Sequence, residues 1–161
     1  EFYPLYDVTG GSSDQARFML LVEDRESGYQ FYRDLVGDER CFSAEGNSKV
    51  YAKMIEASES EPLLVIADGA AFGAYIDKVV KFSKMNARVA LYFPESFEWM
   101  VLRSGVLKDS EVDDILNHPE DFADSTEYAS WERFFAALLI ARSKDDKYMQ
   151  YSKSSLPEFY T

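Results

Sequence analysis

Three acids carry the strongest chemical signal in this 161-residue sequence. Glu23 and Asp24 end the apolar run Phe18-Met-Leu-Leu-Val22, and 44 positions after Asp24 a second apolar run, Leu63-Leu-Val-Ile-Ala67, ends on Asp68. Glu45, Glu95 and Glu98 stand in comparable places after two further candidate strands. Carboxylates that converge on one edge of a sheet repel one another unless a hard cation lies between them, and an all-oxygen donor set of this type suits Mg²⁺. Acids at helix N-termini also complement the helix dipole without any ligand. That plainer account is preferred for Glu45, Glu95 and Glu98. Glu23 and Asp68 directly abut apolar strands and are the better candidates for chemistry.

The surrounding pattern defines the elements that must position these acids. Strand-like runs at 18–23, 40–44, 63–67 and 88–93 alternate with helical spacing at 26–36, from about 47 to 58, at 72–85 and after Ser96. Gly37 and Gly105 close two of the helices, Glu45-Gly-Asn47 supplies a turn and cap, and Ser96 is the expected cap of the fourth helix. Runs that are apolar throughout suit strands covered on both faces, so the alternation implies a parallel α/β sheet with crossover helices. In such a sheet, ligands bind beyond the carboxyl ends of the strands, where the acids fall. After residue 105 only helices are expected, at 109–117 and 130–143. In the latter, Trp131, Phe134, Phe135, Leu138, Leu139 and Arg142 form a stripe read as core packing.

Composition narrows the classes of partner. The formal net charge is −12, with 29 acids against 17 Lys and Arg. Nonspecific nucleic-acid binding needs cations that neutralise phosphates, so a nucleic-acid role here requires a local basic patch, a bridging metal or a partner domain. Residues 109–127 hold eight of the acids and no Lys or Arg. They match several positions of a Ca²⁺-binding loop, but Asp114 stands where the sharp turn demands glycine, so a solvated acidic helix is expected. The single cysteine, Cys41, excludes an internal disulfide, reads as a small core residue and favours a reducing, cytoplasmic compartment. His118, the only histidine, is expected at the surface or at a helix cap. No apolar run approaches the roughly 20 residues of a membrane span, and no nucleotide-binding glycine fingerprint occurs. The chain opens on Glu1 and not Met, which suggests a piece of a longer protein.

Leu20-Leu-Val-Glu23, the turn containing Gly46, and Ala67-Asp68-Gly-Ala70 together resemble the Toprim-like fold of topoisomerases, primases and overcoming-lysogenization-defect nucleases over residues 17–98. The resemblance implies a four-stranded, mainly parallel α/β core. It also implies Glu23 as general acid/base, Asp68 as a Mg²⁺ ligand for phosphodiester chemistry on nucleic acid, and an associated ATPase as partner. The sequence departs from the family pattern at Ala70, where the second aspartate of an Asp-x-Asp pair would stand. Asp24, Glu95 or Glu98 would have to compensate, or the domain would be an inactive interaction module. Leu20-Leu-Val-Glu-Asp24 and the 44-residue spacing to Asp68 are also similar to the two-component receiver, but no fifth strand with a leading lysine follows; Lys108 precedes an acidic helix. The expected layout is an extension at 1–16 with a flexible Thr9–Ser13 link, an α/β core at 17–105, a helical layer at 106–146 packed on it, and a surface tail at 147–161.

Overall fold

The computed structural model describes residues 18–69, 72–107, 109–124 and 126–160. The extension at 1–16, together with Ala70 and Lys108, lies outside the described residues. Four strands form one sheet: β1 (Met19–Val22), β2 (Cys41–Ser43), β3 (Leu63–Ile66) and β4 (Val89–Tyr92), in the order β2-β1-β3-β4 with every pairing parallel. Helices α1 (Ser27–Val36), α2 (Asn47–Ser58) and α3 (Ile76–Met85) connect them, and a 3₁₀ turn, Gly73–Tyr75, leads into α3. Helices α4 (Phe97–Arg103), α5 (Ser110–Asn117) and α6 (Trp131–Ser143) follow. The α/β class, the parallel sheet and the additional C-terminal helices match the expectation from the sequence.

Period-two alternation sends the strands' side chains to two cores. On one face Leu21, Val65, Val50, Met54, Phe72 and Val79 pack beneath α2 and α3. On the other, Leu20, Val22 and Ile66 meet α1 and α4, and the same cluster continues through Ile115, Phe135 and Leu139 of α5 and α6. The stripe on α6 is thus core, with Phe134, Phe135 and Leu139 buried, while Trp131 remains 40% exposed and Arg142 turns to Asp109 and Glu111. Among the described residues no helix is long and apolar enough to cross a membrane.

Local capping follows the side-chain chemistry. The hydroxyls of Ser96 and Ser130 accept from the backbone N–H groups of Trp99 and Arg133, and the Asp109 carboxylate accepts from Glu111 N–H, which satisfies donors that a helix start leaves open. The acidic stretch is therefore a capped helix with Val112, Ile115 and Leu116 inward, and His118 sits exposed at its C-terminal end. Cys41 is buried in the core, where burial pushes its thiol up to about 11.

Two local expectations need correction. Leu35, one of the apolar residues that give 26–36 its helical spacing, is 68% exposed, while Phe31 and Tyr32 of the same helix make ring contacts with Phe97. The tail does not simply run along the surface. Tyr151 and Tyr160 are buried in the α6-side core; Tyr151 N–H donates to Ser143 Oγ at 2.9 Å, and the Tyr160 hydroxyl donates to the Met149 carbonyl at 2.7 Å. Burying two tyrosine rings outweighs the polarity of the Ser and Lys residues between them.

Candidate functional site at the carboxyl rim of the sheet

With the order β2-β1-β3-β4, the chain direction across the sheet reverses between β1 and β3, and a crevice opens at that switch point in open α/β sheets. Glu23 follows β1 and Asp68 lies just beyond β3, and backbone pairing holds them side by side: Glu23 N–H donates to the Ile66 carbonyl at 2.8 Å. Both line a cavity of about 460 Å³. Six acids, Glu23, Asp24, Glu26, Glu45, Asp68 and Glu132, border it against two bases, Arg25 and Lys153, so the space carries excess negative charge.

The acids are not equivalent. At Glu23, burial and the charges of Asp24 and Glu132 raise the carboxyl above the usual carboxylate range, outweighing the lowering influence of the backbone at Asp68 and Asn47. Asp68 shifts further, to about 8, chiefly through burial and then through the charges of Glu23, Glu98, Glu132 and Asp24. Its core side borders a narrow crevice lined by Tyr32, Ile66, Pro94 and Phe97. Among the described residues, no donor reaches its carboxylate.

The other predicted site residues have separate engagements. Asp24 caps α1: one carboxylate oxygen accepts from Arg25 and Glu26 N–H at 2.7 and 3.0 Å, and the other from Gly28 N–H at 2.8 Å. Gly28 is required there, since a Cβ would stand 2.9 Å from that second oxygen. Glu98 is 3% exposed and accepts from the Tyr151 hydroxyl at 2.8 Å. Glu95 is exposed and does not line the cavity. Glu45 turns outward at φ 60° and pairs with Lys49 across one helical turn. Gly46 beside it holds φ 116°, a conformation in which the chain needs glycine, and its N–H donates to the Glu23 carbonyl. Gly69 closes the far side of the rim: its N–H donates to the Pro94 carbonyl at 2.6 Å, and a Cβ would meet that same oxygen at 3.0 Å.

Two site residues escape sequence reasoning altogether. Glu132 lies in the first turn of α6, and Lys153 lies in the tail; their side chains form an ion pair, with the Lys153 ammonium also 3.8 Å from Glu98. Burial alone would depress the Lys153 ammonium, but the hydrogen bond to Glu132 and the charges of Glu98, Glu132 and Asp68 hold it above its usual value. Ser130, which caps α6, is the only local cue to the placement of Glu132. Nothing near Lys153 in the sequence announces it.

The donor chemistry of Glu23 and Asp68 fits a hard cation of the Mg²⁺ type, which takes one or two carboxylates and keeps several waters. Among the described residues, no group of three or more His, Cys, Asp or Glu side chains is arranged to hold a metal, so a closed protein cage is not the design. Comparison with known proteins returns no match: no family model, no curated protein and no solved structure matches this chain.

Proposed function

We propose that this domain is a divergent Toprim-like unit whose Glu23–Asp68 rim supports Mg²⁺-dependent phosphodiester chemistry on nucleic acid. The observation that carries the reading is the Asp68 carboxylate, half-buried beside Glu23 at the switch point and without a donor among the described residues. A carboxylate so placed favours a proton or a cation, and a divalent ion bound there would supply charge neutralisation and orientation of a phosphate. Asp68, with Glu23 nearby, would hold it. Glu23, whose burial raises its proton affinity above that of an ordinary carboxylate, would take a proton from an attacking hydroxyl and return it to a leaving oxygen. Lys and Arg are scarce at this rim, so a nucleic-acid partner would be held through the cation or through a second domain such as an associated ATPase. A protein of this kind belongs in the cytoplasm, in keeping with its one buried thiol.

Titration calorimetry with Mg²⁺ on the wild type and Asp68→Asn tests the site, and cleavage of single- and double-stranded DNA with Mg²⁺ or Mn²⁺ tests the chemistry. The wild type is expected to bind and turn over; equal heats for both proteins end the metal assignment. One observation favours a second reading, a catalytically inactive interaction or regulatory module. Asp24 and Glu98, two of the three acids that would have to compensate for the missing second aspartate, are committed to the α1 cap and to Tyr151. Metal binding without turnover on any nucleic acid supports that module. A receiver-type phosphoacceptor at Asp68 is the remaining alternative; failure to bind beryllofluoride removes it.

A further inference from the structure

The tail at 151–156 is built into the acidic rim by five hydrogen bonds. The Tyr151 hydroxyl bridges Ser27 Oγ at 2.6 Å and Glu98 at 2.8 Å. Ser27 N–H donates to the Lys153 carbonyl at 3.2 Å. The Gln30 side chain holds the tail from both ends of its amide, donating to the Ser154 carbonyl and accepting from Leu156 N–H at 3.0 Å. These contacts fix the backbone at 153 so that its ammonium projects into the cavity that Glu23 and Asp68 line, between Glu132 and Glu98. Of the two cations that border this six-acid cavity, Arg25 belongs to the loop after β1, whereas Lys153 is delivered from a segment more than 80 residues beyond Asp68 in sequence.

We propose that Lys153 is a tethered counter-cation of the rim, which competes electrostatically with a divalent ion at Glu23–Asp68 and so sets the affinity of that site. The inference rests on the metal reading given above and adds its regulation. The physical ground is that two cations in one partly buried cavity repel through a medium of low effective dielectric, whereas each is separately attracted to the acids. By linkage, whatever keeps the Lys153 ammonium in the cavity weakens the external ion, and the external ion weakens docking of residues 151–156 by the same factor. Lys153 therefore acts through charge, as a positioning residue rather than a catalytic one.

Four proteins and Mg²⁺ alone, measured by titration calorimetry at low ionic strength, test it: wild type, Lys153→Met, Glu132→Gln and the double variant. Lys153→Met adds one net negative charge to the cavity and is expected to bind Mg²⁺ about tenfold more tightly. Glu132→Gln removes one and is expected to bind more weakly, while the double variant restores the wild-type charge and its affinity. A fifth protein, Lys153→Arg, is the charge-preserving control and retains wild-type affinity. Damage to the fold cannot generate this order, because it would weaken binding in every variant. Binding in Lys153→Met no tighter than in the wild type overturns the role of Lys153 while leaving the metal site standing. Tight binding in the double variant replaces charge competition with simple obstruction and also overturns it. Absence of Mg²⁺ binding in all four proteins overturns the metal reading and this inference together.

Discussion

The two faces of the sheet are built on different plans. The α2–α3 face is assembled from neighbours in sequence: Val50 and Met54 cover Leu21 and Val65 within a span of residues 19–92. The α1–α4 face begins in the same way and is then finished from far away, by α5, α6 and the tail, which add Phe135, Leu139, Tyr151 and Tyr160. The second face adds the sequence-distant part of the candidate site, Glu132 and Lys153, whereas the first adds only the Glu45–Gly46 turn that leads into α2. The first face stabilises the rim; the second also tunes it electrostatically.

Substitutions can separate those roles, the largest effect coming from the cores. Phe135→Ala should cost about 3–5 kcal/mol by cavity formation and loosen the α6 packing that carries Glu132. Met54→Ala, on the other face, should cost about 2–5 kcal/mol. Denaturant unfolding gives both values. Magnesium titration of the folded fraction then distinguishes the faces: affinity should change in Phe135→Ala and hold in Met54→Ala. Equal behaviour would erase the distinction. Next comes Tyr151→Phe, which strips a hydrogen bond from the buried Glu98 carboxylate and from Ser27. Its expected cost is about 2 kcal/mol, the range for hydrogen bonds to charged groups, with faster amide exchange across residues 151–156.

Asp68→Asn is smaller and opposite in sign. The folded-state value of about 8 lies above the ordinary 3.8, so folding favours the protonated acid. The stabilisation that protonated Asp68 contributes is present below about pH 4 and is lost as pH rises through about 8. An uncharged asparagine has nothing to lose, so at pH 8 without metal the variant should be more stable than the wild type. The gain is on the order of 1–2 kcal/mol, roughly 2–8 °C in Tm for a chain of this size. Melting curves at pH 5 and pH 8 check it: a gain larger at pH 8 than at pH 5 is expected, and a loss at pH 8 would contradict the burial of that carboxylate. The smallest effect belongs to Glu45→Gln, since its partner Lys49 is solvent-exposed; a change under about 0.5 kcal/mol is expected in the same melts.

The unequal legibility of the two plans has a physical origin. Strands β1 and β3 are short apolar runs covered on both faces, and their carboxyl ends are marked by an abrupt change to charge. Glu23 and Asp68 could therefore be placed at the rim from the sequence. Ser96 and the α6 stripe were readable for the same reason, because capping and helical periodicity act within a few residues. Leu35 satisfied the period of α1 yet lies exposed, since a periodic position reports a helix face and not whether a neighbour covers it. Lys153 and Tyr151 depend on where the chain returns after α6, and no short-range rule encodes that return. The engagement of Asp24 was hidden for a subtler reason: its partners are backbone N–H groups, which every residue offers, and only Gly28 hints at the close approach.

The fit at Gly69 has a mechanical consequence. The ends of β3 and β4 are drawn so close that a Cβ at position 69 would press on the Pro94 carbonyl, while the opposite wall of the rim hangs on side chains of the returning C-terminal segment. One wall of the rim is therefore set by backbone packing and the other by side-chain hydrogen bonds, so substitution can reshape the tail side of the cavity while leaving the β3–β4 side as it is.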